Sequence, residues 1–166
     1  MNKTRELVLI SLLAVIIALS GSFKVPSPFM GSEFQLSAPI AVAIAACFGF
    51  KRYFLAGIIA SAVCMLLGTQ NIINVIVAMT FRVVAGGIIH LFKGNIVAII
   101  LSGPTGSIAA RVVLWIFFKK AIMVMLIAGF PGMLYTAILS YPLTKLLNRV
   151  RKVIPWSELS YGKNSL

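Results

Sequence analysis

Apolar runs of roughly helix length follow one another along this chain, and lysines and arginines gather at their ends. Inside hydrocarbon every backbone amide must find its partner within the protein, so a chain written this way has to become a bundle of membrane-crossing helices. Hydrophobic residues make up 60% of the 166 positions and charged residues 11%, which excludes an ordinary soluble domain. At about 20 residues per crossing there is room for five or six helices and no second domain.

The runs are Leu7–Leu19, Leu36–Phe50, Tyr53–Leu67, Asn71–His90, Asn95–Phe118 and Met133–Leu147. They predict an all-α integral membrane protein, a compact bundle of six transmembrane helices, with residues 1–150 as the membrane domain and 151–166 as a short basic tail. Lys3, Arg5, Lys51, Arg52, Lys93, Lys145, Arg149, Arg151 and Lys152 then fall on one side, against Lys24, Lys119 and Lys120 on the other. By the positive-inside rule both termini are cytoplasmic. A removable signal peptide ending near Ala18-Leu19-Ser20 is a second reading of the first run. Gly103-Pro104-Thr105-Gly106 predicts a kink or break in the fifth helix, and Gly129-Phe130-Pro131-Gly132 the entry to the sixth.

Two arginines lie inside apolar runs. On a helix Asn71 and Arg82 fall within about 20° of each other and Asn74 about 60° to one side, so one face carries two amides and a guanidinium. A charge near the bilayer centre costs at least about 2.5–3.5 kcal/mol, so Arg82 should face protein or a wet cavity. The bland alternative is that it snorkels or caps carbonyls of a neighbouring helix. Ser107, Arg111 and Trp115 recur at a spacing of four as a second polar face; there the alternative is an Arg111 paired to carbonyls freed by Pro104, with Trp115 as an interface anchor. The candidate substrate-binding residues are Gln70, Asn71, Asn74, Arg82, Arg111 and Trp115, joined by Glu33 and Phe34 from the proline-rich segment Phe23–Gln35, which reads as a lid. Because cations outnumber acids there, the expected ligand is a small anion or zwitterion.

Glu6, Glu33 and Glu158 are the only carboxylates and His90 the only imidazole. Paired-carboxylate catalysis, a calcium site or a Ser-His-Asp relay is hard to assemble from that set, so no catalytic residue, metal or cofactor is expected. The net charge of +12 is spread over helix ends instead of forming a stripe with interleaved aromatics, which argues against nucleic acid. Cys47 and Cys64 sit in apolar runs as small hydrophobes.

Ala14 and Ala18 give the first helix the small-x-x-x-small spacing that lets another helix approach closely in lipid. With Ala14-Val-Ile-Ile-Ala18 in the first helix, a long proline-rich first outer loop and a polar entrance to the fourth helix, the chain resembles the substrate-binding S components of energy-coupling factor (ECF) vitamin transporters. The resemblance reaches to about Arg149. It implies a multi-pass protein of a prokaryotic cell membrane that takes up a vitamin-like molecule from outside. It also implies that Ala14 and Ala18 dock on a transmembrane coupling subunit driven by two ABC-type ATPases. Val25-Pro-Ser-Pro-Phe29 resembles the first outer loop of biotin-binding members, whereas Met133–Leu147 lacks the acidic residue of their last helix. A self-associating passive carrier or channel is the alternative, since small-residue faces also drive homo-oligomers.

Overall fold

The computed structural model describes residues 3–22, 24–26, 33–35, 37–119 and 122–153. Six helices account for nearly all of them: α1 (Lys3–Ser22), α2 (Ser37–Phe48), α3 (Phe50–Leu66), α4 (Ile72–Leu91), α5 (Ile96–Phe118) and α6 (Ile122–Val153). Between α1 and α2 two short strands, β1 (Lys24–Pro26) and β2 (Glu33–Gln35), pair antiparallel with Val25 opposite Phe34, and among the described residues this ribbon is the only strand structure.

α2 is the post around which the others stand. It touches all five other helices, and its Ala-rich sequence lets them approach closely, with Val42, Ala43, Ile44, Ala45 and Cys47 almost wholly buried. Around it Leu13 and Ile17 of α1, Ala56 and Ala60 of α3, Ala85 and Ile89 of α4 and Ile99 of α5 complete the core. The large apolar residues left outside, such as Leu12 and Ile16 on α1 and Ile58 and Ile59 on α3, form the surface expected of a protein solvated by lipid.

Four helices, α1, α4, α5 and α6, are long and apolar enough to cross a bilayer. At 12 and 17 residues α2 and α3 are shorter, about 18 and 26 Å, and only Gly49 joins them. Gly49 has φ 85° and ψ 161°, a conformation that a side chain strongly disfavours, which makes this sharp reversal possible.

The expectation of an interrupted helix fails at two places in the second half. α5 runs unbroken through Pro104, and α6 is one helix of 32 residues that passes through Pro131 and Pro142 instead of starting after Gly132. Proline removes only its own N–H, and a break in lipid would strand several more backbone groups, so the helix persists. Because α6 continues to Val153, Arg151 and Lys152 belong to its last turn and not to a tail.

Contacts at one end of the bundle fasten the helices together. Arg52 at the start of α3 pairs with Glu6 of α1 at 3.4 Å. The Arg151 guanidinium donates to the Cys47 carbonyl at the end of α2. The Phe50 and His90 rings lie 6.1 Å apart, bringing the foot of α4 to the same place. Lys3, Arg5, Lys51, Lys93, Lys145 and Lys152 share this basic end, while Lys119, in a left-handed conformation after α5, stands at the other.

Candidate functional site

In the half of the bundle remote from the basic end, all six helices line a cavity of about 410 Å³. This is a suitable size for a small metabolite. Apolar wall comes from Ile17, Ala41, Val77, Phe81 and Leu114; the polar groups include Ser61, Gln70, Asn74, Arg82, Ser107, Arg111 and Tyr135.

α4 delivers Asn74, Val77, Ala78, Phe81 and Arg82 to the cavity, a 3–4 spacing that makes one helical face. Arg82 lies ten residues into α4, about 15 Å along its axis and so near mid-bilayer depth. It is only 6% exposed. One guanidinium nitrogen donates to the Ser61 hydroxyl at 2.7 Å and sits 3.7 Å from the Met79 sulfur, and no carboxylate meets it among the described residues. Arg82 crosses to α3 over Gly57, where a β-carbon would stand 2.5 Å from its Cδ and 2.6 Å from its Nε.

Arg111 repeats the arrangement between α5 and α6. It donates to the Ser107 carbonyl at 3.0 Å, one turn back on its own helix and not a carbonyl freed by Pro104. Its guanidinium lies across Gly129, where a β-carbon would overlap it. Two further polar atoms of lining residues, the Tyr53 hydroxyl and the Gln70 side-chain oxygen, are buried with no hydrogen-bond partner among the described residues. Such atoms are costly to leave unpaired.

Of the residues singled out by sequence, Gln70, Asn74, Arg82 and Arg111 come together here. Asn71 does not: it is the N-cap of α4, its side-chain oxygen accepting from the Asn74 backbone N–H at 2.9 Å. A capping amide and a site amide look alike in sequence, and the first free N–H groups of α4 claim this one. Trp115 is also outside the cavity, 44% exposed on the outer face of α5, and Phe81 and Leu114 take the wall position expected of it. Only the backbone of Glu33 and Phe34 is placed, in β2; their side chains and residues 27–32 of the expected lid lie outside the described residues.

The alanines of α1 are turned inward. Ala14 is 4% exposed in the core and Ala18 lines the cavity, while Leu12, Val15, Ile16 and Leu19 face out. Small residues do admit a close neighbour here, and in this structure α3 is the principal one.

Sequence reasoning passed over Ser61, Tyr53, Gly57 and Gly129. A signal existed in α3, where Tyr53, Gly57, Ala60, Ser61 and Cys64 recur every three or four residues as a small and polar face within a greasy helix.

Lipid-facing helices around an arginine-bearing cavity define a multi-pass membrane protein built to hold a small molecule. The chain belongs to the family of Protein BioX: it is 48% identical over 152 residues to Protein BioX of Lysinibacillus sphaericus, 92% of either chain. No family model matches the chain, and no solved structure matches it.

Proposed function

We propose that this chain is the substrate-specific membrane subunit of an uptake system, capturing a small vitamin-like anion or zwitterion from the side opposite the basic end. The observation that carries this reading is Arg82, buried about half way along α4 on a cavity wall, where among the described residues a hydroxyl and a sulfur are what meet it. A buried guanidinium without an anion is expensive, and a ligand carboxylate or phosphate would supply the missing partner in bidentate form. Gln70, Asn74, Ser61 and Arg111 would provide the remaining polar contacts, and Phe81 the apolar wall.

Energy would come from a partner, namely the transmembrane coupling subunit and paired ATPases implied by the resemblance to ECF S components. Ion coupling usually needs an acid within the membrane. Among the described residues with placed side chains the only carboxylate is that of Glu6, and it is tied to Arg52 at the basic end.

Native mass spectrometry of gently purified protein, followed by calorimetry with a panel of carboxylated vitamins, tests the reading. Biotin heads the panel because of the Val25–Phe29 resemblance. A retained or rebound carboxylated molecule at one per chain is the expected outcome. Protein that carries nothing and binds no acid on the panel would refute it.

A further inference from the structure

We infer that Gly57 and Gly129 set the reach of the two cavity guanidiniums, and through it the length of acid the cavity accepts. The inference rests on the reading of the cavity as an anion site.

The two glycines do the same thing at two different helix pairs. Each arginine leaves its own helix and lies across the neighbouring one where that helix has no side chain: Arg82 of α4 on Gly57 of α3, and Arg111 of α5 on Gly129 of α6. These are not loose contacts. A β-carbon on Gly57 would stand 2.5 Å from Arg82 Cδ, and one on Gly129 would overlap the Arg111 guanidinium. The glycines therefore let each fork sit back against a helix backbone, leaving the space in front of it for ligand.

One methyl group at either position removes that recess. With alanine at 57, the Arg82 side chain must retreat by about 1 Å to regain ordinary contact of roughly 3.5 Å. The α3 backbone is behind it, so the retreat is into the cavity and away from the Ser61 hydroxyl that now holds it at 2.7 Å. Alanine at 129 displaces the Arg111 fork in the same way. The yielding atoms belong to long, flexible side chains, so the cost falls on cavity length more than on the fold.

The test uses the full chain in detergent, its Gly57→Ala and Gly129→Ala variants, and the straight-chain monocarboxylates from acetate to heptanoate with their primary amides as probes. Binding is read from the concentration dependence of the unfolding midpoint. The parent should prefer acids to amides and show an optimum chain length. Each variant should keep the preference for acid, shift the optimum at least one carbon shorter, and bind the parent's best acid about 10-fold or more weakly, the scale of one misplaced methylene. An unchanged length profile with merely lower thermal stability would overturn the inference, since the glycines would then serve packing alone. So would a variant that does not fold, because the arginine was to absorb the methyl. Indifference of the parent to every acid would instead defeat the anion-site reading, and the inference with it.

Discussion

Arg82 is where sequence and structure agree most closely, because a guanidinium amid hydrocarbon has few places to go. Arg82→Ala should weaken ligand binding about 30-fold to several thousand-fold, the cost of removing a charged hydrogen bond from a dry site. Arg82→Lys, which keeps charge but loses the fork, should fall between the two in calorimetry. An alanine variant within about twofold of the parent would make Arg82 structural. Asn71 is the counter-example. Asn71→Ala should cost about 1 kcal/mol of stability through loss of the α4 cap while leaving affinity unchanged, and thermal unfolding with calorimetry separates the two effects. Polar character could be read from the letters; whether an amide serves a backbone or a ligand depended on where α4 begins. Ser61, which holds Arg82, escaped notice because a lone serine in an apolar helix ordinarily bonds back to its own chain.

Helix locations were largely legible, because apolar runs and basic clusters mark them. Their lengths were less so. Gly129-Phe130-Pro131-Gly132 reads as punctuation by the rules of water-exposed chains, yet in α6 the helix continues and Thr136 donates to the Gly132 carbonyl at 2.8 Å. The facing of α1 was also hidden, since Ala14 and Ala18 fit an outside helix as well as one from the same chain. With Ala14 in the core, Ala14→Trp should lower the unfolding midpoint by overpacking against the bundle, whereas Val15→Trp, on the exposed side, should not. Equal midpoints for the two would mean that α1 presents its alanines outward after all. Gly49→Ala should cost about 1–3 kcal/mol by forcing a side chain into a region of backbone space open essentially to glycine.

For the whole molecule, the contacts at the basic end give the topology a test. Glu6–Arg52 and Arg151–Cys47 bring the feet of α1, α3, α2 and α6 together. If that end is cytoplasmic, as the distribution of lysine and arginine implies, single cysteines in place of Lys3 or Lys152 should react with an impermeant maleimide only after cells are opened. A cysteine in place of Lys119 should react in intact cells. Both native cysteines are buried and would give little background. Labelling of position 3 from outside would invert the proposed direction of capture.

The one-residue link between α2 and α3 also gives the two helices a common fulcrum. Both helices diverge from Gly49, and α2 extends 12 residues, about 18 Å, before it reaches the rim of the cavity at Ser37. Each degree of rotation about that fulcrum displaces the rim by about 0.3 Å and the foot hardly at all. A change of about 5° would widen the entrance by roughly 1.6 Å, half the gap a water molecule needs, while Tyr53 and the helix feet stayed nearly still. The two ends of the cavity thus stand at different distances from one fulcrum: any rotation there would be felt at Ser37 on the rim, while the floor at Tyr53, four residues from Gly49, would keep its dimensions.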